Sequence, residues 1–543
     1  MHRKWLIGCW VALMVLTVAL GLLAGCGGGG GPNIPPNQAA PTPVSPSAEF
    51  VALEPASQRT ATYVGTAKCG GCHSANAGAR IQLAVARARS GTRQAEIPKI
   101  DFDAFSHTMH GQKGVTCEHC HGPGSAHVAW ATSFLQNPAG HSPDEADNNI
   151  LTYPNITRHE VCNQCHGPIV ADFLVSKHAQ KVDVALEESV QNPSFLGHFC
   201  LRCHSGATRA EFIDYPFSTA TDITTAQNTA NAAINAFSAA DVTEHAESTV
   251  ETASCGNCHN PHKLTGKSVQ KVAQSPNDVQ LHRRAFNLDP TPVTPGAPLK
   301  VYSNFDQACG SCHNGFGANP SDANLKASTS LPIMHEGPQY SMLMGYGGFE
   351  GAGNVSFSRQ SSHAVLNTAQ CVQCHMPDHN GFASHTMTVM VDVSCAPCHS
   401  TADASSRATA LKNDIENELF TLRSRMANWA QQTLGNSAWW DYTRLISESG
   451  GTPPSATQEA SIPLGILRAR HNYYFIVRDN SFGIHNAPYT RLLLDAANRE
   501  LDPLVGRPDS QQGGASRAII ESVLRQDRAR SKRAERYFRP GAI

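Results

Sequence analysis

From residue 411 onward, apolar side chains recur every three or four positions: Leu411, Ile415, Leu419, Leu422, Met426 and Trp429. That spacing predicts one buried face of a long helix, ended near Gly435. A second long helix is expected from about Pro463 to Asp495, kinked by Gly483 and Pro488 close to His485. A third is expected over Gly514–Tyr537, and GGTPPSATQEAS (450–461) reads as a loop. Residues 69–399 lack such periodicity, so short helices and long loops are expected there. The stretch 218–248, rich in Ala, Thr and Asn, reads as an insertion. At the other end, the basic residues His2-Arg3-Lys4 precede an apolar run, Trp5–Leu23, that closes on Leu23-Ala24-Gly25-Cys26. This pattern reads as a lipoprotein signal peptide over residues 1–25, with Cys26 taking the lipid. The Gly- and Pro-rich stretch that follows reads as a flexible tether over residues 26–62. A doubly anchored N-terminus of this class would hold a membrane stably. Gly27 lacks the acidic side chain associated with inner-membrane retention, so the outer membrane is expected.

Composition changes this picture at two residue types. The chain has 543 residues, 41% of them hydrophobic, yet 18 are cysteine and 26 histidine. The formal charge of −2 gives no reason to expect nucleic acid as a partner. Cys9 and Cys26 belong to the N-terminal segment. The remaining cysteines fall into eight C-x-x-C-H motifs. They are Cys69, Cys72 and His73; Cys117, Cys120 and His121; Cys162, Cys165 and His166; and Cys200, Cys203 and His204. The others are Cys255, Cys258 and His259; Cys309, Cys312 and His313; Cys371, Cys374 and His375; and Cys395, Cys398 and His399. C-x-x-C-H is the attachment site of c-type haem: two thioethers hold the porphyrin edge, and the adjacent histidine lies under the iron. Disulfides, zinc ribbons and redox CxxC pairs would not place histidine after every second cysteine. Eight such neighbours by chance have a probability on the order of 10⁻¹¹, so eight covalent haems are expected. Attachment of c-type haem outside the cytoplasm agrees with export.

Six-coordinate irons need a second ligand each. Seventeen histidines other than His2 stand outside the motifs, while the chain has ten methionines. Bis-histidine ligation is therefore expected, and it gives lower potentials than His/Met ligation. Position in the sequence selects His107, His127, His178, His245, His335, His363, His385 and His485. His110, His159, His198, His262 and His379 compete with them. His119, inside a CxxC loop, reads as exposed. The sequence leaves open whether a calcium ion sits among the loops.

At this point a resemblance emerges. CEHCHGPGSAH (117–127) resembles the CxxCHGPGSxH element of multihaem cytochromes related to octahaem hydroxylamine oxidoreductase and pentahaem nitrite reductase. CVQCHMP followed by SHTM, with CAPCH soon after, resembles the close haem pair near the end of their haem domains. RDNSFGIHNAPYTRLLL (478–494) resembles their C-terminal helical element. The resemblance covers residues 65–505 in layout. It implies that His127, His385 and His485 are axial ligands. No motif ends in the lysine that nitrite reductases of this group often carry. Tyr340, Tyr346, Tyr473, Tyr474 and Tyr489 match no tyrosine cross-link context of the hydroxylamine oxidoreductases.

The expected fold is mainly α: a multihaem cytochrome c domain over residues 63–400, with little regular structure around stacked haems, then a long-helix domain over 401–543. The leading functional expectation is an electron carrier that exchanges electrons with redox partner proteins, tethered by lipid to the periplasmic or cell-surface side of the outer membrane. Respiration to extracellular acceptors would follow. The alternative is an oxidoreductase in which one open iron binds nitrite, hydroxylamine or tetrathionate. A filament is a third reading, opposed by the tether. The C-terminal helices offer a homo-oligomer interface or a cap. Arg525, Arg528, Arg530, Lys532, Arg533 and Arg536 make the last helix basic; a solvated face explains this better than docking of an acidic partner or of haem propionates does.

Overall fold

The structure, a computed structural model, describes residues 45–74, 102–137, 148–152, 155–191, 193, 198–206, 208, 237–262, 309–313, 320–326, 337–351, 361–366, 370–379, 381–441, 452 and 454–506. The signal peptide, Cys26, His335 and the basic C-terminal helix lie outside the described residues. So do most of the 218–248 insertion and the start of the tether. Among the described residues no helix is long and apolar enough to cross a membrane.

The protein is mainly α-helical, with one two-stranded ribbon among the described residues, Asp378–His379 paired antiparallel to Phe382–Ala383. It divides into two compact units. The first takes residues 1–286 and 375–388; the second takes 287–374 and 389–543. This differs from the boundary expected at residue 400. The segment Gln339–Met344, between the sixth and seventh motifs, contributes Met342 to the core of the long helices.

In the first unit the longer helices are α1 (Thr66–His73), α2 (Ser125–Gln136), α3 (His159–Leu174), α4 (Asp183–Gln191) and α5 (Ala239–Ser248). Its aliphatic core is divided into small clusters. One holds Phe50, Leu53, Leu151 and Val161; another holds Leu186, Leu201, Val242 and Ala246. Phe50 and Leu53 come from a short helix, Ala48–Leu53, N-capped by the Ser47 side chain. The tether expected to reach residue 62 therefore ends earlier, because Phe50 at 1% exposure belongs to the core. Helix α3 changes direction at His166, whose φ of −111° and ψ of 34° are not helical. Pro168, two residues on, lacks the N–H an unbroken helix would use there.

In the second unit, α6 (Thr401–Leu434) starts at the Ser400 cap and stops at Gly435, which takes φ +84°. A left-handed glycine at that position is the ordinary helix stop. The predicted second helix is two helices, α7 (Leu464–Asp479) and α8 (Ala487–Val505). Asn480 and Gly483 both take positive φ, so the chain reverses where only a kink was expected. Residues 456–460 of the expected loop form a short helix. Helices α6, α7 and α8 share one large core that includes Ile415, Leu422, Met426, Phe475, Tyr489 and Leu493.

Candidate haem centres

Each described motif sits on a short helix or turn that gathers its cysteines and histidine on one side. CEHCHGPGSAH shows how the local sequence accomplishes this. Glu118, 3% exposed, accepts hydrogen bonds from the backbone N–H groups of Val64 (2.8 Å), Gly65 (2.7 Å) and Gly124 (2.8 Å). The buried carboxylate thus ties the second motif to the segment that leads into the first. Gly122 takes φ +73°, and a Cβ there would lie 2.6 Å from Glu54 Oε1. Gln58 donates to the carbonyl of His121 at 2.6 Å. His119 is not exposed as expected: its Nδ1 accepts from Thr116 N at 2.9 Å, closing a capping box.

None of the sixteen motif cysteines forms a disulfide. The first cysteines of three pairs of motifs lie side by side: Cys69 with Cys117, Cys162 with Cys255, and Cys309 with Cys371. Burial, then the neighbouring thiols Cys165 and Cys117, push the Cys120 thiol up to about 11. The second and third motifs are therefore also close.

The histidines give a direct test of fit. An imidazole nitrogen binds a first-row metal at about 2.0–2.1 Å, so two rings on opposite sides of one ion have centroids about 6.3 Å apart. Four motif histidines have a second histidine at that separation: His73 with His127 at 6.1 Å, His166 with His110 at 6.0 Å, His121 with His262 at 6.2 Å, and His259 with His385 at 6.4 Å. The donor set fits haem iron. His127 and His385 come from the expected ligand set. His110 and His262 had been ranked as competitors. His107, the expected ligand, is exposed, and its Nδ1 lies 3.4 Å from Ser106 Oγ. Thr108 caps a new helical turn, Met109–Gln112, and so turns His110 away from His107.

A metal-binding histidine usually donates its other ring N–H to an oxygen, which fixes the ring and leaves one nitrogen for the ion. His121 Nδ1 meets Leu151 O at 2.9 Å, and His375 Nδ1 meets Met387 O at 3.1 Å. His385 Nδ1 meets Ala383 O at 2.7 Å, while its backbone N–H donates to Asp172 of α3 at 3.1 Å. His245 Nδ1 meets Asp241 O at 2.7 Å. It stands on α5, which packs against the fourth motif's helix, His198–His204. His178 lies on the turn Lys177–Ala179, where its carbonyl accepts from Ala253 N just before the fifth motif.

The second unit repeats this arrangement. His313 Nδ1 lies 3.2 Å from Gln339 Oε1, and Gln339 Nε2 reaches the carbonyls of Arg478 and Asp479. Asp479, 2% exposed, holds His485 Nδ1 at 2.6 Å. His363 Nδ1 is 3.1 Å from the carbonyl of Ile484. The turn between α7 and α8 therefore brings His363 and His485 together beside the sixth motif. Ser394 Oγ donates to Cys374 O at 2.7 Å, which joins the seventh and eighth motifs.

Burial governs the charge of these rings. It pushes His127 down to about 4, and the nearby His73 and His121 add to the effect. His121 and His385 are also lowered, chiefly by burial. The neutral imidazole so favoured is the form that binds metal. His485 behaves differently: burial opposes its charge, but the Asp479 carboxylate and hydrogen bond prevail and raise it.

Comparison with known proteins places these sites in context. Residues 351–400, which hold the seventh and eighth motifs, match the family model described as cytochrome c554 and c-prime. No curated protein matches the chain. Two solved structures are similar to it. One is an undecahaem cytochrome from the S-layer of Carboxydothermus ferrireducens, with 19% identity over 72% of this chain and 50% of that one and a TM-score of 0.39. The chain thus spans about half the length of that cytochrome. The other is the outer cell wall cytochrome OcwA, with 18% identity over 72% of this chain and 70% of that one and a TM-score of 0.38. The motifs and the family match together mark a multihaem c-type cytochrome, with haem bound covalently through its cysteines.

Proposed function

We propose that this chain is an exported, lipid-anchored octahaem cytochrome that passes electrons along bis-histidine haems to an acceptor outside the cytoplasm. A haem held by one CxxCH motif supplies one-electron transfer between its ferric and ferrous states. The residues of the chain cap the irons, fix the ring tautomers and set the neighbours. The observation that carries the reading is the set of four histidine pairs at 6.0–6.4 Å, each joining a motif histidine to a second ring. At those four motifs a ring on each face would remove the coordination site that substrate chemistry needs.

The sulfur contacts support an order of transfer. Thioethers formed at touching sulfurs bring together the rims of the porphyrins they hold. In the first unit that order runs from the first motif to the second, then the third, then the fifth. A further sulfur contact joins the sixth motif to the seventh, and the Ser394 bond to the Cys374 carbonyl brings the eighth beside the seventh. The apolar run Trp5–Leu23 and the residues ending in Cys26 support export and a lipid tether at the outer membrane. The test is low-temperature EPR of the oxidised, haem-loaded protein, with nitrite and hydroxylamine added in parallel. Low-spin signals that ignore both ligands are expected. A high-spin signal near one haem equivalent that shifts with ligand would replace this reading with a multihaem oxidoreductase.

A further inference from the structure

One cluster in the first unit takes no part in the histidine pairs. A nitrogen of His159 and one oxygen each of Glu160 and Glu251 all lie within 4.8 Å of one another. They come from two segments, each leading into a haem motif: His159 and Glu160 precede Cys162, and Glu251 precedes Cys255. Glu251 is 4% exposed. Its Oε1 accepts from the backbone N–H of His159 at 3.2 Å and from the His159 ring Nδ1. Its Oε2 is buried and has no hydrogen-bond partner. Arg158 forms a fork on Glu160, with Nε 3.2 Å from Oε2 and Nη2 on Oε1.

A carboxylate oxygen without a donor is costly to bury. The Glu251 bond to the first N–H of α3 accounts for Oε1 but leaves Oε2 unexplained. The positive end of α3 and the Arg158 guanidinium are the forces that oppose a second cation here. An ion bound at three directed ligands can overcome them, because each ligand atom contributes to one centre.

We propose that His159, Glu160 and Glu251 form a binding site for one first-row divalent cation of the zinc class. An imidazole with two carboxylates suits such ions, whereas calcium prefers an all-oxygen shell. Binding exchanges the Nδ1 proton of His159 for the metal, and that proton leaves to solvent. The site also has a consequence for its neighbours. His159 and Glu251 both lie within electrostatic reach of Cys255, and Glu251 within reach of Cys162. A bound dication would therefore raise the potentials of the groups carried by the third and fifth motifs.

The test uses the full-length, haem-loaded protein, stripped with a chelator and titrated with Zn²⁺ alone. Calorimetry and metal analysis are expected to show one zinc per chain beyond the irons. At least tenfold weaker binding is expected in Glu251→Gln and in Glu160→Gln, with haem content and circular dichroism unchanged. Glu251→Gln keeps an acceptor for the α3 N–H, and Glu160→Gln leaves that contact untouched, so either variant can report if the other misfolds. Redox titration is expected to show an upward shift of part of the haem set on zinc addition, lost in both variants. Absence of zinc binding, or zinc binding unaffected by either substitution, would overturn the proposal. Zinc stoichiometry is read independently of whether every iron is capped, so failure here is distinct from failure of the electron-carrier reading.

Discussion

The two units solve the problem of a core in different ways. Among the described residues of the second, twenty-one buried apolar residues form one cluster around α6, α7 and α8. In the described residues of the first, the two clusters described above have four buried members each. Burial of apolar surface is the main favourable term in folding, so clusters of that size hold little structure alone. Among the described residues the contrast leads to the expectation that the first unit draws on its covalent groups for apolar bulk more than the second, whose long helices share a side-chain core.

The largest expected effect follows from removing those groups. Chain produced without haem attachment should lose slow hydrogen exchange in helices α1–α5 and keep it in α6–α8. Equal loss in both regions would break the comparison. Next comes the packing of the second unit. Phe475 is fully buried, and Phe475→Ala should cost about 3–5 kcal/mol, seen as a lower denaturation midpoint of the helical core. The absorption of the haems in the first unit should not change.

A smaller effect concerns pH. His471 is buried in α7, and its Nε2–H donates to Gly347 O at 2.9 Å. Burial pushes it from 6.5 down to about 4; the Gly347 bond works against this, and the Arg470 charge adds to it. The unfolded chain therefore takes up this proton before the folded chain does. The stability associated with neutral His471 is fully present above about pH 6.5 and is lost as pH falls toward 4. In His471→Gln, which can still donate to Gly347, denaturation midpoints should fall less over that window. An unchanged pH profile would assign the acid sensitivity of this unit elsewhere.

Much of this was legible in the sequence where one signal had one cause. The period of Leu411 to Trp429 and the stop at Gly435 defined α6, because a single buried face and a left-handed glycine are local features. The motifs declared their own chemistry. Legibility failed where long-range placement decided. His107 and His110 are three residues apart, and only the Thr108 cap separates their directions. His262 follows the fifth motif but meets the histidine of the second, a pairing that no local spacing reveals. The reversal between α7 and α8 was read as a kink because Gly483 and Pro488 fit either outcome. Asn480 at φ +59° completes the turn. The chain from Ala48 was read as tether by composition, yet Phe50 anchors it.

The most direct measurement compares two single substitutions, His110→Ala and His107→Ala, in the haem-loaded protein by low-temperature EPR. The account predicts one new high-spin haem in His110→Ala and an unchanged low-spin spectrum in His107→Ala. A high-spin signal in His107→Ala, with none in His110→Ala, would contradict the pairing of His110 with His166 and the capped-haem reading built on it.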